Sequence, residues 1–419
     1  MNSELSLVIS SSVQTSVSMN KIVKKSYHKH IAYLLYAYLV ILAIFDWLVT
    51  YNILDIKYSQ VTRGLLLLTF LYYIIRTNVS WSAYNFNLGK ILFAMAVLTG
   101  IYAILEPDLP SGLYYWVRFL VWPCGAIVFY RLVLNRVINE NLLLNAIYLI
   151  IIICVSFTIH YLSTPNLPIA QNASAYTLLW ILPFILLKRN SKLFIPIFII
   201  TCIGILLPIK RGAIISLIIS LVAYSISMAY LKRRLKNALN ILFILVVFIS
   251  VFVLFYQREY ERIYLRTRDF YEPDKFGSGR AKMYSALFQH WYDANPFQII
   301  FGFGSRSVQI YTGWYFAGTE SGPYAHSDWL GFLHDYGILG ILIMIWLHLY
   351  LIKIIILLIK KRHFYLTVFL ISYAILFCVN IYSGQLMSPN TIYFGIFVSY
   401  ILARLKLEQH EQINRNNKI

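Results

Sequence analysis

The chain has 419 residues, of which 59% are hydrophobic and only 13% charged, with a mean hydropathy of +0.67. Soluble globular domains carry about 25% charged residues, so this composition excludes that class and indicates a membrane protein with many spans. The net charge of +19 does not mark a nucleic-acid binder, because the basic residues are scattered between apolar runs rather than gathered on one soluble face.

In chain order, a polar, Ser-rich start leads to Lys21-Ile-Val-Lys-Lys-Ser-Tyr-His-Lys-His30. No cleavage pattern follows the first apolar run, which predicts an uncleaved anchor with a cytoplasmic segment over 1–30. Apolar runs, each about long enough to cross roughly 30 Å of hydrocarbon, then recur at 31–50, 62–76, 90–105, 113–134, 141–162, 173–188, 193–209, 212–231, 239–256, 335–359, 364–381 and 390–405. The second, sixth and seventh are short. The expected fold class is an all-α integral membrane protein with about 12 transmembrane helices, nine of them over 31–256 and three over 335–405. A cytoplasmic tail occupies 406–419. The four cysteines, Cys124, Cys154, Cys202 and Cys378, sit inside apolar runs without metal-ligand spacing and read as packing residues, with no disulfide expected.

Loop charges set an expected orientation. Lys188, Arg189 and Lys192, then Lys232, Arg233, Arg234 and Lys236, then Lys360, Lys361 and Arg362 all fall on the side of the N-terminus, whereas the loops 106–112, 163–172 and 383–389 contain no Lys or Arg. By the positive-inside rule the N-terminus is cytoplasmic and the long polar segment 257–334, between the ninth and tenth runs, is outside. From 257 to 330 it carries eight basic and eight acidic residues, the pattern of a folded, solvated module.

Lys210-Arg211-Gly212 breaks the charge rule, lying at the outside turn between the seventh and eighth runs. Such a pair either snorkels to the interface or captures an anion, where a helix start adds backbone donors to the guanidinium. Arg118, about one and a half turns into the fourth run, poses the same alternative. In the outer module Arg280 follows Gly277-Ser-Gly279 and begins a predicted helix over 281–293, which Asn295-Pro296 stops. Phe301-Gly-Phe-Gly304 supplies two glycines for a tight turn or a close approach. Tyr324-Ala-His-Ser-Asp328 precedes an apolar stretch, so His326 is either structural or a titratable group beside a cavity that takes or orients a hydroxyl proton. For His290, His334 and Asp335 a solvated or capping role is expected.

In that order, Lys-Arg-Gly at a helix start, Gly-Arg before a helix ending at Asn-Pro, Phe-Gly-x-Gly, and Ala-His-Ser-Asp-x-Leu running into Asp335-Tyr-Gly-Ile-Leu-Gly340, the motifs resemble the O-antigen ligase and polymerase superfamily over roughly 190–345. These are bacterial integral-membrane glycosyltransferases with a GT-C-like fold. By motif, Arg211, Arg280 and His326 match the two arginines and the histidine on which that superfamily depends. Ser327 and Asp335 depart from it, where many relatives have Asn and Glu.

The resemblance implies transfer of a glycan from an undecaprenyl-diphosphate carrier to a sugar hydroxyl at the periplasmic face of the inner membrane, with no metal and no cofactor. Guanidinium groups would then stabilise the leaving diphosphate, with Lys210, Arg118, Tyr324, Asp328 and Arg306 binding substrate around them. Expected partners are the undecaprenyl-diphosphate-linked oligosaccharide, membrane lipid and a chain-length regulator, and no nucleic acid. Asn295-Pro-Phe, Phe301-Gly-Phe-Gly304 and the aromatic loop 305–325 resemble the polymerases more than the ligases, which use lipid A-core as acceptor. A lipid-linked oligosaccharide flippase is the alternative of a different class, although no repeated halves are visible in the sequence.

Overall fold

The computed structural model describes residues 27–45, 48, 56–77, 87–163, 174–189, 191–208, 210–232, 280–319 and 322–416. The ninth predicted run and the start of the outer module, 239–256 and 257–279, lie outside the described residues, as does the basic segment 21–26.

Among the described residues the fold is helical without strands. Eight helices come first: α1 (Tyr27–Phe45), α2 (Ile56–Arg76), α3 (Asn87–Leu105), α4 (Leu109–Leu134), α5 (Glu140–Ser163), α6 (Ser174–Leu187), α7 (Phe194–Leu206) and α8 (Arg211–Lys232). The outer module contributes three short ones, α9 (Arg280–Tyr292), α10 (Pro296–Phe301) and α11 (Ser307–Thr312), followed by a π-helical turn over Gly313–Ala317. The chain closes with α12 (Asp328–Lys360), α13 (Leu366–Tyr382) and α14 (Ile392–Asn416).

Helices therefore stand at every described position where an apolar run predicted one. Six, namely α1, α3, α4, α5, α8 and α12, are long and apolar enough to cross a membrane. Of the three runs that read as short, the sixth and seventh are so, since α6 and α7 have 14 and 13 residues and at 1.5 Å per residue reach only about 20 Å, whereas the second lies in α2, which starts at Ile56 and has 21 residues.

Several boundaries differ from expectation, among them the start of α2 at Ile56 and the end of α14 at Asn416, and two of them bear on the site. The fourth helix begins at Leu109, where Asp108 caps it and Pro110 suits its first turn, so Arg118 lies about two and a half turns inside, deeper than predicted. The helix expected from 335 begins at Asp328, capped by Ser327, whose Oγ accepts the Leu330 amide. It is broken at Gly337, where φ is 63° and ψ −152°.

That break explains the Phe301-Gly-Phe-Gly304 motif. At the kink the carbonyls of His334 and Asp335 lose helical partners and accept the amides of Phe303 (2.9 Å) and Gly304 (3.0 Å). The backbones approach so closely that a Cβ on Gly302 would strike the Asp335 carbonyl, and one on Gly337 would strike Gly302. The close approach for which these glycines leave room is to another stretch of the same chain.

The core runs along α4, which packs lengthwise on α14 and also against α2 and α3, while α13 packs on α8. Trp122, Phe129, Trp180, Phe394 and Phe397 are fully buried there, with Trp180 tilted against Phe394 and Phe184 meeting Phe397 edge-on. The Trp122 indole donates to the Leu386 carbonyl at 2.9 Å, which fixes the segment after α13 to the centre of the bundle. All four cysteines are buried.

Candidate functional site

The C-terminal turn of α13 is where the separate polar motifs meet. The apolar run ends in Asn380-Ile-Tyr-Ser-Gly384, and the amides of Ser383 and Gly384 both close on the Val379 carbonyl, with Gly384 at a φ of 58°. A glycine just past a helix end adopts this left-handed turn without Cβ strain.

Three motifs pack on this turn. The start of α8 lies against it, since a Cβ on Gly212 would collide with the Ser383 hydroxyl and meet Tyr176, whose own hydroxyl bonds Ser383 at 2.7 Å. Arg280, the first residue of α9, donates to the Tyr382 carbonyl at 2.7 Å, with its guanidinium 4.8 Å from the Tyr382 ring centre. His326 is the third: Gly384 lies against its Cα, leaving no slack for a side chain there. Tyr284, one turn along α9 from Arg280, donates its hydroxyl to the His326 carbonyl at 3.0 Å. Arg280, His326 and the start of α8, which carries Lys210 and Arg211, thus come together around Tyr382–Gly384.

His326 has a φ of 53°, in the left-handed region. Such a conformation in a residue other than glycine costs about 1–3 kcal/mol and persists where its surroundings over-determine it, often at functional sites. Its imidazole is pushed down to about 4, by burial first and then by the positive charges of Arg280 and Lys210. The ring is therefore neutral at pH 7. The charge effects also show that Lys210 and Arg280 lie close enough to His326 to act on it electrostatically.

The remaining expected site residues divide. His326 lines a cavity of about 110 Å³ together with Tyr115, Arg306, Tyr324, Asp328, Asp335 and Gly384, whereas Lys210, Arg211, Arg280 and Arg118 are not among its lining residues. Arg306 is committed: its guanidinium donates to Glu106 at 2.9 Å and lies over the Tyr115 ring at 4.7 Å. Burial pushes the Glu106 carboxyl up, and Arg306 opposes that rise. The Tyr324 hydroxyl meets that of Tyr115 at 3.4 Å. Arg118 is half-buried on α4 near Tyr115, with its Nε buried and unbonded. The buried Asp328 carboxylate accepts the Leu386 amide at 3.0 and 3.1 Å, so it holds the segment after Gly384 in place.

His334 is not solvated, whereas Asp335 is half-buried and caps the start of α11. His334 is 1% exposed and bonds His290 Nδ1 through Nε2 at 2.9 Å and Ser307 through Nδ1 at 2.8 Å. The Ser307 hydroxyl donates to Asp335 at 2.7 Å, and Asp335 also accepts the Val308 amide at 3.1 Å. Their position beside a kink, which no local pattern announces, is what buries His334 and brings Asp335 to α11.

Sequence reasoning missed Tyr382, Ser383, Gly384 and Tyr284. The Ser-Gly after an apolar run was legible as a helix stop, but nothing local shows what packs on it.

Apolar helices long enough to span, enclosing a half-buried cationic cluster, define a multi-pass membrane protein. Residues 196–345 match the family model described as O-antigen ligase, so this segment is an O-antigen ligase-like domain, in agreement with the resemblance to the O-antigen ligase and polymerase superfamily. That family consists of glycosyltransferase-like ligases and polymerases. The match takes in Arg211, Arg280 and His326 and ends before Tyr382. No curated protein and no solved structure matches the chain.

Proposed function

We propose that the chain is an O-antigen polymerase of the bacterial inner membrane, with a periplasmic active site, about twelve spans in a GT-C-like arrangement and the 257–334 module outside. It transfers the growing glycan from undecaprenyl diphosphate to a sugar hydroxyl of a lipid-linked repeat unit. The reading is carried by the gathering of Arg280, His326 and the start of α8, which carries Arg211, around the end of α13, with Lys210 acting on the histidine.

In this reaction the acceptor hydroxyl oxygen attacks the anomeric carbon and the bond from that carbon to the phosphate oxygen breaks, with inversion. The hydroxyl proton passes to His326, and undecaprenyl diphosphate leaves with the bonding electrons. Arg211 and Arg280, with Lys210, stabilise the charge that develops on the leaving diphosphate. The same anion offsets two of the causes that depress His326, the charges of Arg280 and Lys210, and so raises its basicity in the complex.

The matched family description names ligases, which keeps transfer to lipid A-core as the second reading. The surface lipopolysaccharide of a deletion strain separates the two. Core capped by a single repeat is the expected result, whereas bare core with lipid-linked polymer accumulating establishes a ligase. Lipid-linked units retained inside would establish a flippase. A membrane-impermeant maleimide should label Tyr292→Cys in intact cells and reach Ser191→Cys only after lysis, and the reverse would overturn the orientation.

A further inference from the structure

We propose that a cleft on the far side of α11 from His326 is a saccharide subsite, holding uncharged sugars of the glycan at a distance from the reacting bond. This rests on the glycosyl-transfer reading above, which it deepens.

α11 separates two hollows. Val308 and Gln309 face the His326 cavity, while Ser307, Ile310 and Tyr311 face an open cleft of about 530 Å³. Aromatic rings make up much of the cleft wall. The His290 ring stacks between Phe303 (4.3 Å) and Tyr311 (4.0 Å), and Tyr311 stacks in turn on Tyr315 (5.4 Å). The π-helical turn after α11 leaves Trp314 68% and Tyr315 57% exposed at the rim. Flat apolar faces of this kind match the CH faces of a sugar ring.

With Asp335 ionised, the polar chain in this wall has one sense: the Ser307 hydroxyl donates to Asp335 and its oxygen accepts from His334 Nδ1. His334 Nε2 then accepts from His290 Nδ1, so the neutral His290 ring carries its proton on that nitrogen and its Nε2 is left as an acceptor. Burial also lowers the His290 pKa, which keeps the ring neutral. An acceptor among aromatic faces suits a donating sugar hydroxyl. An acyl chain offers no donor, and a phosphate would meet a lone pair without a cation, since no Lys or Arg is among the lining residues.

The test uses full-length protein in nanodiscs and lipid-free repeat-unit oligosaccharide, released by mild acid from the lipid-linked pool of the host strain. Calorimetric titration should show binding that the Trp314→Ala/Tyr315→Ala variant weakens by about tenfold or more. Trp314→Phe should keep most of it. With lipid-linked substrate, the double variant should raise KM by a similar factor and leave kcat within about twofold, as expected for contacts made equally in ground and transition states. Equal binding by wild type and the double variant, or Trp314 fluorescence quenched by brominated acyl chains and unchanged by oligosaccharide, would overturn the subsite and assign the rings to the membrane interface. Binding is also measured on Arg280→Ala. If that variant turns over normally, the transfer reading fails while the binding result still decides the cleft.

Discussion

His326 and His334 are eight residues apart and lie on opposite sides of the Asp328 helix start, yet the fold uses them differently. His334 is enclosed in a network that ends on a carboxylate: Asp335, Ser307, His334 and His290 satisfy one another, and the neighbouring backbone pairs with Phe303 and Gly304. His326 has strained backbone and cationic neighbours, and among the described residues no carboxylate pairs with Arg280 beside it. Hydrogen bonds that end on a carboxylate offset the cost of burial, whereas the charges of Arg280 and Lys210 act on His326 to disfavour its protonated form. The lesson is that burial of a histidine says little about its role. Which groups close its hydrogen bonds says more.

The comparison breaks first at the cationic site. His326→Ala should lower glycan transfer by about a hundredfold to ten-thousandfold, and Arg211→Ala or Arg280→Ala by about a hundredfold each, at unchanged protein level. Purified protein with synthetic lipid-linked repeat units measures this, and normal turnover by His326→Ala would make that histidine structural.

At the kink the damage should fall on folding instead. Gly337→Ala places a Cβ against Gly302 at a φ of 63°, and is expected to cost about 3 kcal/mol or more. Thermal unfolding in detergent should show the loss, and an unchanged midpoint would remove the kink from the account.

Asp335→Asn sharpens the contrast on a smaller scale. It weakens the bonds from Ser307 and Val308 and should lower stability by about 1–3 kcal/mol, with turnover per folded molecule changed only a few-fold. A much larger loss of turnover at full stability would move Asp335 into the chemistry.

The smallest effect is a displacement along the pH axis. With His326 at about 4 in the free protein against about 6.5 unfolded, the imidazole stays neutral down to about pH 4. Its contribution to stability is complete above about pH 6.5 and is lost as pH falls toward 4, because the unfolded chain then binds the proton more readily. The acid limb of kcat/KM, which reports the free enzyme, should therefore lie near pH 4 with no inflection at 6.5. The limb of kcat should lie higher, since bound diphosphate offsets Arg280 and Lys210. Coincident limbs would show that the anion does not reach them.

The apolar runs and loop charges by themselves determined the class of protein and nearly every described helix, because in hydrocarbon a backbone must satisfy its own hydrogen bonds and a long apolar run has few alternatives to a helix. Arg211, Arg280 and His326 were also legible, since each stands at a helix entry whose sequence marks it. Their convergence was not. It depends on Tyr382–Gly384, about 55 residues after His326 in sequence and on a helix with no chemical motif. The tertiary structure likewise decided that Asp328 holds Leu386, that Arg306 answers Glu106, and that His290 and His334 are joined through Ser307 to Asp335. The physical reason is common to all of these. Helix formation depends on residues within one turn of each other, whereas the partner of a buried polar group is set by which helix ends the packing brings together.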